Sequence, residues 1–342
     1  MESIASLYTS LSWLYKSFFL GLKVGLFWTW NSIFSGMQIW SLYALFALSV
    51  EVILQIIMIQ KERFISARAR ENLNMGQHTE KKTIPSMGGI AFFAFIPIFL
   101  YMENCSAQSL FIAFSSLLFG LIGGIDDFSK IRHGTGLSVK TKLGLGFFAS
   151  LAPALYYYVA FPNTLYINLF GYHLQLGIFF ILWIMWVLKS TVHAVNLLDG
   201  IDGLASSQVI LILFFYRRFF LPNVFIYITV TLFLFLIHNS YPAKIFMGDI
   251  GSFFLGGFLA SFFLVQKIEC LLPIAGVVFV LNTVACLIQI CSFKLFQKRI
   301  FSFTPIHHNL EMRGWSERMI NFVYSGITIL GNLTSLYFLK LF

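Results

Sequence analysis

Ten stretches of mostly apolar residues follow one another along this chain. Each is close to the roughly 20 residues that a helix needs to cross the hydrocarbon core of a bilayer. The runs are 38–60, 86–103, 107–126, 143–162, 174–192, 202–220, 222–238, 250–266, 271–291 and 320–340. The expected fold class is therefore all-α: a polytopic integral membrane protein with about ten transmembrane helices. Charge agrees, since Asp, Glu, Lys and Arg make up only 11% of the 342 residues, against roughly 25% in soluble domains.

The distribution of basic residues predicts an orientation. Most of the 23 Lys and Arg lie in the loops after the first, third, fifth, seventh and ninth runs. The positive-inside rule places those loops in the cytoplasm and both termini outside, with Arg217 and Arg218 as dissenters. This use of positive charge also accounts for the net charge of +9 without a nucleic-acid partner, for there is no basic block. The four cysteines have no metal-ligand spacing. Cys286 and Cys291 lie in an apolar run, where Cys acts as a small hydrophobe, and no disulfide between Cys105 and Cys270 follows from the sequence.

Two regions result: an N-terminal interfacial segment, 1–37, and a ten-helix membrane domain, 38–342. Within the first, Phe18 to Phe34 is apolar, but Lys23, Trp28, Asn31 and Ser32 interrupt it. Leu7, Leu11, Leu14, Phe18 and Leu22 share one helical face, which favours a helix lying in the interface over an eleventh span. A basic start and a small-residue cleavage site, the marks of a signal peptide, are missing.

Polar clusters gather on the predicted cytoplasmic side. They are HTEKKTIPSMGG (78–89), IDDFSK (125–130) with GLSVKTK (136–142), HAVNLLDGIDGLA (193–205), NSYPAKIFMGDIGS (239–252) and KRIFSFTPIHHNLEMRGW (298–315). Each has an ordinary reading: Asp126 and Asp127 as a solvated helix end, DGIDG as a turn, Asp249 as a helix cap. Their coincidence on one membrane face points to function, because ionisable groups at a membrane edge are costly. Carboxylates from three loops suit Mg²⁺, a hard cation taking oxygen ligands and phosphates. Lysines neutralise phosphate as point charges, and glycine-flanked loops let backbone N–H groups approach it. Together these suggest phosphoryl transfer at a membrane surface.

The motifs resemble those of the polyprenyl-phosphate N-acetylhexosamine-1-phosphate transferases over about residues 38 to 340. The DDxxK of Asp126, Asp127 and Lys130 and the NLxDGxDGLA of Asn196 to Ala205 carry the wider resemblance. HxxKKxxPxMGG from His78, PAKxFMGDxGS from Pro242 and KRIF…PIHHxxExxGW from Lys298 are similar to the narrower phospho-N-acetylmuramoyl-pentapeptide transferase family. The resemblance implies transfer of phospho-N-acetylmuramoyl-pentapeptide from its UDP conjugate to undecaprenyl phosphate, with Mg²⁺, giving lipid I and UMP. It implies a bacterial inner membrane location, an active site on the cytoplasmic face and a homodimer.

It also implies roles. Asp249 is the expected metal ligand, and Asp126, Asp127, Asp199 and His307 are the catalytic set, Asp126 deprotonating or orienting the lipid phosphate. Asn196, Asp202, Phe246 and His308 are expected around the nucleotide, with Ser86, Asn239 and Gln289 also substrate-binding, and Lys81, Lys130 and Lys142 at phosphates. A single displacement is favoured over a phospho-aspartate, since a phosphate monoester is already a competent nucleophile. The chain departs from the family pattern at Thr83-Ile84-Pro85-Ser86, His193, Leu198, Asn282 and Asn309, none of which removes a proposed catalytic carboxylate. Two rivals are a UDP-N-acetylglucosamine transferase, which lacks the PIHHxxE pattern, and a cation or proton transporter. A transporter's acids belong near the midplane, often between repeats, whereas these lie at loop level.

Overall fold

The computed structural model describes residues 37–60, 64, 84–169, 171–220 and 222–340. Lys81 and the segment 1–36, where the interfacial helix is expected, lie outside these. The chain divides into two compact units, Met1–Leu48 and Ser49–Phe342. Of the first, only the opening of helix α1 (Met37–Ile59) is described.

The described part of the second unit is mostly helical. A 3₁₀ segment, Gly88–Ala94, runs directly into α2 (Phe95–Met102). Then come α3 (Ala107–His133), α4 (Val139–Ala160) and a short antiparallel hairpin of β1 (Tyr166–Leu169) and β2 (Tyr172–Gln175). Helices α5 (Phe180–Leu198), α6 (Leu204–Phe215), α7 (Pro222–Asn239) and α8 (Gly248–Val265) follow. A single turn, Leu272–Ala275, precedes α9 (Val277–Phe296), and α10 (Ile306–Met312) and α11 (Glu317–Leu339) complete the fold.

Among the described residues, six helices are long and apolar enough to cross a membrane: α3, α4, α5, α8, α9 and α11. Of the other four apolar runs, 86–103 divides into 3₁₀ and α segments and 202–220 carries the twelve-residue α6. Side chains on the outward faces of the long helices are apolar, including Phe148, Leu182, Trp186, Leu287 and Leu330, each more than half exposed. Apolar surface on this scale needs lipid rather than water against it. The protein is a membrane protein.

Two run boundaries differ from the sequence expectation for identifiable reasons. Helix α3 does not stop at Asp126 but continues to His133, ending where Gly134 takes a left-handed conformation (φ 73°). Lys130, Arg132 and His133 in its last turn complement the negative end of the helix dipole. Helix α5 starts later than residue 174, because Tyr172–Gln175 pair with β1.

Helix α8 is the centre of the bundle, buried continuously from Ile250 to Leu264. It packs along α3 and α5, and small residues make that approach close, as in many membrane helix pairs. A Cβ added at Gly123 would stand 2.1 Å from the Asp249 carbonyl oxygen. One turn on from Gly123 are Asp126 and Asp127, so this contact brings the carboxylates of α3 and α8 together. Gly123→Ala is therefore expected to cost about 1–3 kcal/mol by overpacking and to reduce activity with it. A thermal midpoint in detergent and a transfer assay check this, and wild-type values in both would mean that the helices part without consequence.

At the other end of α8, about 27 Å away by helical rise, Lys267 ties the hairpin to the bundle. Its ammonium donates to the carbonyls of Thr164 and Tyr166 and lies over the Phe180 ring at 4.2 Å. Burial lowers the Lys267 pKa to about 8. Between α6 and α11 runs a polar seam. Asn321 accepts from Ser207 at 2.9 Å, Gln208 donates to Ser325 at 3.3 Å, Thr328 donates to Gln208 at 2.6 Å, and Tyr216 meets Ser335.

Candidate active site

The carboxylates of Asp126, Asp127 and Asp249 converge, with one oxygen from each lying within 4.8 Å of the others. Asp126 and Asp127 are almost wholly buried, at 1% and 2% exposure, although they are adjacent in sequence. Neighbouring positions on a helix point about 100° apart, and the two are held differently. Asp126 accepts from the backbone N–H of Leu137 at 2.7 Å and pairs with Lys130 at 2.8 Å and Lys142 at 2.9 Å. Asp127 accepts from the backbone N–H of Ile250 at 3.0 Å, placing its charge at the positive N-terminus of α8. Asp249 meets Lys130 at 2.9 Å and Lys142 at 3.4 Å, and accepts from Asn196 at 3.0 Å. Asn196 also donates to Ser252 at 2.9 Å, so one amide fixes both residues of the GDIGS turn.

Loops one and four support this centre by backbone pairing. Phe246 N–H donates to Pro85 O, and Gly88 and Gly89 N–H donate to Phe246 O and Met247 O, at 2.8, 2.9 and 3.0 Å. This ladder carries the half-buried Ser86 beside Asp127, with the half-buried Phe246 in the same loop. Gly248 is left-handed (φ 75°), and a Cβ there would meet the Asp127 carboxylate at 2.4 Å and Ser86 Oγ at 3.0 Å.

Asp199 stands where α5 ends. Burial, together with the Asp249 and Asp127 carboxylates, raises its pKa well above the usual carboxylate range. His307 is fully buried, and neither of its ring nitrogens has a hydrogen-bond partner among the described residues. Burial and the neighbouring His308 lower its pKa to about 3, so this imidazole is neutral. The His308 ring is oriented by Glu311, 2.6 Å from Nδ1. Both imidazoles press on the DGIDG loop: a Cβ at Gly200 would lie 2.6 Å from His307 Nε2 and 3.0 Å from His308 Nε2.

Three of the expected substrate-binding residues work mainly as latches. Asn239 accepts from Gly203 N–H and donates to Ile245 O, joining loops three and four. Asp202 accepts from Ala243 N–H at 2.9 Å. Gln289 accepts from the N–H groups of Ile300 and Phe301 and donates to Phe301 O, clasping the KRIF segment. A cavity of about 310 Å³ flanks the DGIDG loop, lined by Asp202, Ser240, Tyr241, Glu317, Arg318 and Asn321, and is distinct from the carboxylate centre.

Some contributors carry little sequence signal. Glu317 accepts from Asp202 N–H at 3.2 Å and Asn321 donates to Asp202 O at 3.4 Å, reaching the loop from more than a hundred residues away. Ser252 stands inside a quoted motif and Gly123 two residues before one, yet nothing local marks one as an amide partner and the other as a helix contact. Asn282, one of the family departures, accepts from the His307 backbone N–H at 3.4 Å and so still supports the histidine.

Acids held against lysines at the end of a membrane bundle define a class of transferase, and comparison with known proteins agrees. Residues 109–267 match the family model Glycosyl transferase family 4. A phospho-N-acetylmuramoyl-pentapeptide-transferase of Kosmotoga olearia is 38% identical over 286 residues, 78% of this chain and 90% of the relative. Those of Streptococcus gordonii (36% over 307 residues; 82% and 92%) and Clostridium botulinum Eklund 17B (37% over 264 residues; 74% and 82%) are similarly related. The chain belongs to the phospho-N-acetylmuramoyl-pentapeptide-transferase family.

Proposed function

We propose that this chain joins phospho-N-acetylmuramoyl-pentapeptide, delivered as its UDP conjugate, to undecaprenyl phosphate. The products are lipid I and UMP. The observation that carries this reading is the meeting of Asp126, Asp127 and Asp249 with Lys130 and Lys142 at one end of an apolar bundle. A diphosphate and a lipid phosphate must meet where lipid and water adjoin, and that chemistry needs cations and hard oxygen ligands.

Three carboxylates within reach of one another fit Mg²⁺. Asp249 is the principal ligand in this reading, with Asp126 and Asp127 beside it. Bound there, Mg²⁺ would neutralise charge on the diphosphate. Lys130 and Lys142 orient phosphate oxygens, and Lys81 belongs to the same proposed set. One oxygen of the lipid phosphate forms a bond to the sugar-bearing phosphorus as the bond from that phosphorus to the bridging oxygen breaks. UMP leaves with the bridging oxygen. Asp126, pinned by two lysines and Leu137, orients the attacking phosphate, and Asp199, with its raised pKa, takes the proton of a protonated lipid phosphate. His308 and the neutral His307 border the DGIDG loop, while Phe246 offers a ring to the base. Asn196, Asn239, Asp202, Gln289 and Ser86 hold the loops that form the pocket.

The wider proposal keeps the ten spans, the interfacial segment before residue 38, and assembly as a homodimer. It places the site on the cytoplasmic face of a bacterial inner membrane, supported by the concentration of Lys and Arg in the loops around it. Purified protein supplied with Mg²⁺, undecaprenyl phosphate and candidate UDP-sugars tests the function. UMP is expected from UDP-N-acetylmuramoyl-pentapeptide and not from UDP-N-acetylglucosamine. Release from the latter alone would transfer the chain to the sister activity, and no UMP from either would end the reading.

A further inference from the structure

The lysine of the DDxxK motif is placed oddly for a residue whose only task is to hold phosphate. Its ammonium does not point away from the acids towards an incoming anion. It sits among them, 2.8 Å from an Asp126 oxygen, 3.2 Å from an Asp127 oxygen and 2.9 Å from an Asp249 oxygen. These are the carboxylates that form the candidate metal group. Lys142 is placed differently, meeting Asp126 at 2.9 Å and Asp249 only at 3.4 Å, at the edge of the cluster.

The geometry points to Lys130 as a built-in cation that occupies the centre of the carboxylate group and leaves it when a divalent cation enters. The inference rests on the metal-dependent reading above. Mg²⁺ stands about 2.1 Å from its oxygen ligands, so an ammonium within contact distance of those same oxygens competes for the place. The charge count favours exchange over addition. Three carboxylates facing two ammoniums leave one negative charge, whereas substituting a divalent ion for Lys130 leaves none. Lys130 has the means to move: its side chain is 35% exposed on a flexible four-carbon stem, and it lies in the last two turns of α3. Once displaced it carries its charge outward, to where a diphosphate would dock. One residue thus keeps three crowded acids folded together and afterwards binds substrate.

The test is Mn²⁺ binding to the purified full chain without substrates, followed by electron paramagnetic resonance. Lys130→Met is expected to bind Mn²⁺ at least about tenfold more tightly than wild type, since a resident competitor has gone. Lys130→Arg, which keeps the charge, should stay close to wild type. Lys142→Met removes an equal charge without clearing the centre, and should tighten binding distinctly less. Lys130→Gln carries the same expectation as the methionine variant should that one fail to purify. Unchanged or weaker binding in the neutral Lys130 variants would overturn the exchange, as would equal tightening at Lys130 and Lys142, which is bulk charge alone. If wild type and every variant fail to bind Mn²⁺, the metal site itself is wrong. Loss of binding in Asp249→Asn alone separates that outcome from a failure of the exchange.

Discussion

Asp249→Asn is expected to lower transfer at least a hundredfold while the protein still folds. The substitution keeps an oxygen for the Asn196 amide, so the GDIGS turn retains its tether. What it removes is negative charge beside Lys130 and Lys142 and the principal oxygen ligand offered to Mg²⁺. Charge stabilisation of this kind contributes on the order of 3 kcal/mol or more to a phosphoryl transition state. UMP release measured against Mg²⁺ concentration checks it. Wild-type turnover in the variant, or full activity of the wild type in chelator, would contradict the role of this cluster.

A second large effect is expected at Asp199, and pH gives it a distinctive form. Asp199 accepts a proton only when ionised, and its pKa in the folded protein is raised. Turnover should therefore increase with pH through that raised value, giving an acid limb above the range of an ordinary carboxylate, about 3.9. His307 contributes no limb at neutral pH, because its pKa is lowered to about 3. Asp199→Asn should reduce kcat by about 10²–10⁴-fold and abolish the limb. Stability should move the other way. A raised carboxyl pKa favours folding below the unfolded value, and that advantage is lost as pH rises through the folded value. Asp199 thus burdens the fold increasingly as pH rises from the unfolded to the folded value, and the asparagine variant should gain in melting temperature over wild type across that range. A variant that retains kcat and the same acid limb would remove Asp199 from the chemistry.

The apolar runs located helices because lipid imposes length and composition on each span separately. Their ends were harder to read. The aspartates of IDDFSK look like the end of a span, but α3 continues seven residues beyond Asp126, since a helix outside lipid tolerates charge once dipole and caps favour it. The hairpin at 166–175 left little signal because each strand is only four residues long and the second leads directly into the apolar run of α5. At the site, the sequence motifs picked out the acids and Lys130 and Lys142, now in mutual contact. Their division of labour was not visible: Asp127 as the cap of α8, Asn239 and Gln289 as latches, and Gly123 as the point of closest helix approach all depend on contacts between distant segments.

The seam along α11 bears on how the protein is made. Glu317, Asn321, Ser325, Thr328, Asn332 and Ser335 fall on one stripe of α11. Interhelical hydrogen bonds of this kind contribute on average only about 0.6 kcal/mol each in a membrane, but the stripe is a row of them. Two of its members also hold the backbone of Asp202. A nascent chain that has inserted everything through α10 already contains the three clustered aspartates, yet its DGIDG loop still lacks two of its fastenings. The fastening of that loop is thereby tied to the synthesis and docking of α11.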